Sequence, residues 1–145
     1  MEKEIQVKIY NHLPAEAAAI RRAVFMEEQG FVNEFDDIDK MARHIVLYES
    51  GIPVATCRLY YSDDKKCHVI GRIAVSRSYR GNNYGVETVR YAEREIRKRG
   101  VAGIGLSAQL SAVGFYERLG YHSIGETYQD EGCTHIWMEK GRGEL

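Results

Sequence analysis

Six residues in the middle of the chain, Arg80-Gly81-Asn82-Asn83-Tyr84-Gly85, combine the features needed to hold an anion. They stand between an apolar run ending at Val75 and a helical pattern in which Gly85, Val89, Ala92 and Ile96 share one face. The first amides of a helix lack internal partners, and the helix dipole favours negative charge there. Glycine lets the backbone approach a ligand and take positive φ. Asn83 tolerates the left-handed conformation, and Arg80 offers two parallel donors to a phosphate. An ordinary β-to-α turn, whose glycines serve backbone geometry alone, accounts for the same six residues, so both readings stay open at this point. Gly-x-Gly-x-x-Gly is absent and no Gly-Lys-Ser/Thr follows. Neither a Rossmann nor a Walker loop is therefore indicated.

The elements that must position this loop follow from periodicity. Ile5, Val7 and Ile9 alternate, which predicts a strand over Ile5 to Tyr10. Pro14 suits the first turn of a helix. Ala17, Ile20, Val24 and Phe25 continue that helix, and Gly30 ends it. Asn33 to Asp39 is an acidic loop. Strands follow over His44 to Tyr48, Val54 to Tyr61 and Cys67 to Val75, with turns at Ser50-Gly51 and Ser62 to Lys66. After the Arg80 loop and its helix, which stops before Gly100, Val101 to Ser107 reads as a buried strand. Ser111 to Leu119 is a short helix closed by Gly120. Tyr121 to Tyr128 and Thr134 to Lys140 are strands around Asp130-Glu131-Gly132. The order β-α-β-β-β-α-β-α-β-β gives an α/β fold with one mixed sheet and helices on its faces.

Composition excludes several classes. The 145 residues carry 20 basic and 21 acidic side chains, a net charge of -1 that argues against a general nucleic-acid binder. Cys57, Cys67 and Cys133 are odd in number and form no Cys-x-x-Cys pair, so neither a disulfide framework nor a zinc site is indicated, and a reduced cytoplasm is the expected setting. No apolar stretch is long enough for a signal peptide or a membrane span. With two prolines, no repeat and no linker, residues 1–145 read as a single domain.

Three segments together carry a family resemblance: Ile73-Ala74-Val75, the Arg80 to Gly85 loop, and Phe115-Tyr116-Glu117-Arg118-Leu119-Gly120-Tyr121. They resemble the GNAT (Gcn5-related) N-acetyltransferase superfamily. Its loop pattern is Gln/Arg-x-x-Gly-x-Gly/Ala; Arg80 and Gly85 match, and Asn83 replaces the middle glycine. Its later signature is matched by Ala112, Phe115, Tyr116, Gly120 and Tyr121, with Gln109 where many members have asparagine. Arg22, Val24-Phe25, Glu28-Gln29, Glu34, Asp36, Asp39, Ala42 and His44, with Ala108-Gln109 and His135 to Met138, are similar to the ElaA/YjcF-like branch.

The resemblance implies a mostly antiparallel mixed sheet, splayed at its centre between Ile70 to Val75 and Val101 to Ser107, with helices on both faces. It implies acetyl-coenzyme A as co-substrate and no metal. The pantetheine arm would run along backbone groups of Ile73, Ala74 and Val75. The pyrophosphate would rest on amides of Arg80, Gly81, Asn82, Asn83, Tyr84 and Gly85, with Gln109 and Phe115 beside the cofactor. Tyr116 would face the sulfur as the acid for the leaving thiolate. A backbone N–H near Ala74 or Val75 would polarise the thioester carbonyl.

The acceptor would be an amine, which ordinarily titrates near ~10.4 and must lose a proton before attack. Glu27, Glu28, Asp39 and His44 are candidates for that base, beside a water relay, but each also reads as a solvated charge or a satisfied strand residue. The run Glu34, Asp36, Asp37 and Asp39 either draws in a cationic amine or is a solvated loop or a set of helix caps. His135 and Trp137 alternate with Ile136 and Met138, so only one pair faces the core. The alternatives are a non-catalytic acyl-coenzyme A binder and an enzyme like the acyl-homoserine-lactone synthases. The latter share a related fold, but this chain looks short for one. By analogy with the family, a homodimer also stays open.

Overall fold

The computed structural model describes residues 4–100 and 103–141. Strand β1 (Ile5–Tyr10) leads into helix α1 (Ala15–Arg21), which continues as a π-helical segment over Arg22–Glu28. A short helix α2 (Ile38–Met41) precedes β2 (Arg43–Glu49), β3 (Ile52–Ser62) and β4 (Cys67–Val75). Helix α3 (Tyr84–Arg97), β5 (Gly103–Gln109), α4 (Val113–Arg118), β6 (His122–Asp130) and β7 (Cys133–Gly141) complete the order. Val101 and Ala102, expected to open β5, lie outside the described residues.

The seven strands form one sheet in the order β1-β2-β3-β4-β5-β7-β6. Every neighbouring pair is antiparallel except β4 and β5, and among the described residues those two pair at His68 with Ile104 and Val69 with Gly105. Beyond Val69 and Gly105 the strands diverge, leaving two half-sheets joined at a narrow root, as the family resemblance implied. Alternation along β2 distributes the helices. Ile45 and Leu47 face α3, while Val46 and Tyr48 face α1. The largest apolar cluster unites Val89, Ala92 and Ile96 of α3 with Tyr116 and Leu119 at α4 and with Leu106 and Met138 from the second half-sheet. Helices therefore clasp the halves where the strands do not. At the root, Gly105 leaves room for Trp137: a Cβ there would lie 2.2 Å from the indole.

Three departures from the expected elements are seen. Pro14 is the N-cap of α1, one position before its first turn, with extended backbone. The helix expected to run unbroken to Gly30 changes to π geometry at Arg22, and Gly30 follows at φ +76°. The wider turn turns Glu28 and Gln29 toward the second half of the molecule, where they bond to Arg80 and Gln109. In β4 a bulge interrupts the pairing with β3: Arg58 opposes Gly71 and Thr56 opposes Ala74, so one residue faces two. Arg72 takes up the extra length at φ +50°. The bulge lies next to the divergence, on the stretch that ends in Ile73, Ala74 and Val75.

Candidate active site

A cavity of about 650 Å³ lies beside the divergence, with walls from both half-sheets. Ile73, Gln109 and Tyr116 line it; the family resemblance implied the first two beside the cofactor and Tyr116 as the acid. Tyr116 is 9% exposed and packs edge-on against Phe115 and Tyr121. Burial pushes its phenol well above the ordinary range, so at neutral pH it is protonated and enters any reaction as a donor. Ala74 packs its side chain under α1 with Ile20, Val24 and Phe25. Only its backbone is directed by the strand edge.

The Arg80 loop has the backbone of an anion cradle. Gly81 has φ +86° and Asn83, at the N-cap of α3, has φ +66° and ψ +16°. Asn83 thus supplies the left-handed turn where the family pattern has glycine. The Asn83 side chain makes no cap bond, so among the described residues the first-turn amides of α3 are not met by their N-cap. The Asn82 amide instead donates to the Tyr79 carbonyl at 3.0 Å and braces the loop. Gly85 is needed for packing: a Cβ would stand 3.3 Å from Phe115 Cζ. Tyr84 turns its ring into the core, with its hydroxyl bonded to Glu49, so only its amide is available to a ligand. Arg80 is already paired. Its Nη1 and Nη2 each lie 2.9 Å from the Glu28 carboxylate, and its Nε donates to Val75 O at 3.1 Å. That pairing holds the Glu28 carboxyl below its ordinary range.

The acidic run proves to be something the sequence reading did not anticipate: half of an ion-pair network. Arg21 Nε donates to Glu34 at 2.7 Å, and its Nη atoms to both Asp39 oxygens at 2.8 and 3.0 Å. Arg58 donates to Asp36 at 2.6 Å and to Asp39 at 2.9 Å. Arg72 reaches Glu34 and Asp36. Arg21, Glu34 and Arg58 are at most 3% exposed, so this is neither a solvated loop nor a free negative patch. Only Asp37, paired with Lys40 at the surface, fits the solvated reading. Burial raises the Glu34 carboxyl despite its arginines. Burial also acts to raise Asp39, but Arg21 and Arg58 outweigh it and hold that carboxyl at about 2.

These contacts correct the expected list of bases. Asp39 is committed to two guanidinium groups and does not line the cavity. His44 is buried, its Nε2 is bonded to the Asp39 carbonyl at 2.9 Å, and burial lowers its pKa; it too lies away from the cavity. Glu28 is engaged by Arg80, and Glu27 is exposed outside the lining. The sequence reading missed Arg21, Arg58 and Arg72, which look like surface charges in a linear pattern. The cavity also takes in His135 and the Asp130-Glu131 turn, and Glu131 accepts the Asn33 backbone N–H at 2.9 Å.

A sheet split beside its centre, a left-handed turn opening an uncapped helix, and a buried tyrosine between them define an acyltransferase architecture. The GNAT acetyltransferase domain pattern matches residues 11–142, and the chain belongs to that family. The uncharacterised N-acetyltransferase YjcF of Bacillus subtilis is 31% identical over 128 residues, covering 86% of this chain and 90% of YjcF. The crystal structure of Escherichia coli ElaA superposes with a TM-score of 0.82 at 28% identity, over 96% of this chain and 99% of ElaA. An aminoglycoside 6'-N-acetyltransferase complexed with coenzyme A has a TM-score of 0.75 over 94% of this chain and 96% of that one. At 16% identity it shows the shared fold alone. No helix among the described residues is long and apolar enough to cross a membrane.

Proposed function

We propose that this protein is an acetyl-coenzyme A-dependent N-acetyltransferase that moves acetyl directly from the thioester to a primary amine. The observation that carries the reading is the divergence of β4 and β5 after Val69 and Gly105, next to a cavity lined by Tyr116. A strand edge without its parallel neighbour offers backbone groups of Ile73 and the Val75 N–H to an amide-bearing arm, the Val75 carbonyl already accepting from Arg80. The uncapped start of α3 offers amides from Gly81 to Gly85 to a pyrophosphate. Arg80 would exchange Glu28 for phosphate, a stronger bidentate partner. A fold neighbour that holds coenzyme A supports the same choice. Tyr116, kept protonated by burial, would donate to the departing thiolate. The two buried cysteines fit a reducing cytoplasm.

Calorimetric titration with acetyl-coenzyme A tests this reading. Micromolar binding by the wild type, weakened about ten-fold or more in Arg80→Ala, is the expected result. A folded wild type that binds no acetyl-coenzyme A overturns the reading and leaves the fold serving another purpose.

A further inference from the structure

We propose that His135 is the proton acceptor of the transfer, taking a proton from the amine substrate at Nε2. The proposal rests on the acetyl-transfer reading above.

Because β7 lies between β5 and β6, His135 stands opposite Gln109 on one side and Tyr128 on the other. Its ring is stacked on Tyr128 at 6.1 Å with 19° between planes, and the Tyr128 hydroxyl is bonded to that of Ser107. The imidazole is therefore held by neighbours from three strands. Its Nδ1 lies 2.9 Å from the Cys133 carbonyl oxygen. A carbonyl can only accept, so Nδ1 carries the hydrogen. In the neutral ring Nε2 is then a lone-pair acceptor, and among the described residues the ring's one hydrogen bond is at Nδ1. His135 is 7% exposed, and it lines the same cavity as Tyr116. An imidazole with one nitrogen tied to a carbonyl, the other without a protein partner among the described residues, and its ring in the cavity wall is the arrangement that a general base requires.

The other charged groups of that cavity are engaged or poorly suited. Glu34 and Asp36 are bonded to Arg21, Arg58 and Arg72, and Glu131 accepts from the Asn33 amide. Asp130 is exposed at the rim. His135 Nε2 takes one proton from the ammonium group. The neutral amine attacks the thioester carbonyl carbon, the C–N bond forms and the C–S bond breaks. Tyr116 gives its proton to sulfur and recovers one from the new amide nitrogen. His135 returns its proton to water. Products are the acetamide, the free thiol and one released proton.

Two measurements test the assignment. Long-range 1H–15N spectra of the wild type record the tautomer without any acceptor: Nδ1–H is expected, and a predominant Nε2–H form overturns the proposal. Thiol release is then followed with a panel of primary amines (spermidine, tryptamine, lysine, an aminoglycoside) from pH 6 to 9.5, comparing wild type with His135→Gln and His135→Gly. At pH 7 kcat is expected to fall about 100-fold with acetyl-coenzyme A affinity unchanged. The deficit should narrow as pH rises and the amine loses its own proton, and added imidazole should restore part of it in His135→Gly. A deficit equal at every pH, or no deficit in variants that melt like the wild type, overturns the base role. Failure of the wild type to bind acetyl-coenzyme A would instead sink the transferase reading, leaving the tautomer result standing.

Discussion

Replacing Asp39 by asparagine keeps its shape and removes one charge from the buried network. The carboxylate accepts from Arg21 at 2.8 and 3.0 Å and from Arg58 at 2.9 Å. Burial works against its ionisation, yet the two arginines bring it down from 3.8 to about 2. A carboxyl held low in the fold stabilises it fully above the unfolded-state value, and that stability is lost as pH falls through the folded one. At ~1.4 kcal/mol per pH unit, the difference is roughly 2–3 kcal/mol at neutral pH. Breaking a buried pair by removing one partner costs about 3–5 kcal/mol in other proteins, so about 3 kcal/mol is the working figure. For a chain of this size, ~2–4 °C per kcal/mol gives a Tm lowered by roughly 6–12 °C. Glu34 acts in the opposite direction because burial raises its carboxyl. The wild-type pH curve mixes the two effects, and the difference between wild type and Asp39→Asn isolates Asp39. Thermal melts at pH 7, 5, 4 and 2.5 are the assay. A variant that melts within about 2 °C of wild type at pH 7, or a difference that does not shrink below pH 4, refutes the reasoning.

Three further outcomes follow from the site and its supports. Gly105→Ala places a methyl 2.2 Å from the Trp137 indole and should cost about 1–3 kcal/mol in urea denaturation; a neutral result would mean the ring moves freely. Tyr116→Phe should lower kcat for thiol release about 100-fold while the calorimetric Kd for acetyl-coenzyme A stays within two-fold; unchanged kcat removes Tyr116 as the acid. Glu28→Gln frees Arg80 from a competing carboxylate and should tighten acetyl-coenzyme A binding about two- to five-fold. Weaker binding in that variant would show that Glu28 positions Arg80 for the ligand.

The strands were largely legible from short apolar runs bounded by turn residues: β4 runs from Cys67 to Val75 as its pattern indicated, and β1 from Ile5 to Tyr10. The Arg80 loop was legible because its residue types match unusual backbone angles, Gly81 and Asn83 both at positive φ. The π-helical stretch was not, since a change of hydrogen-bond spacing leaves composition untouched, and Val24 and Phe25 remain buried either way. Nor was the bulge, because Arg72 is not a residue type that advertises φ +50°. Arg21 and Arg58 were passed over, and Glu34 was left among a cation-attracting run, a solvated loop and helix caps, because a charge in a linear pattern is ordinarily solvated, and only the packed structure shows the opposite charge beside it. His135 was noticed as one of an alternating pair. Its surroundings depend on β7 being inserted between β5 and β6, which no local pattern specifies.

Past Val69, no described residue of β5 pairs with β4, and the protein leaves its own sheet several rungs short. On the reading above, the missing rungs arrive with the co-substrate, so acetyl-coenzyme A becomes a temporary eighth strand as well as an acyl donor. Mechanical continuity across the molecule would then be set by metabolite concentration. At a hundred times its Kd, such a ligand adds about 2.7 kcal/mol to the folded state. Amide hydrogen exchange should slow most along Ile73 to Val75, the stretch that gains a neighbour, and less in β1 and β2, whose ladder is complete without it.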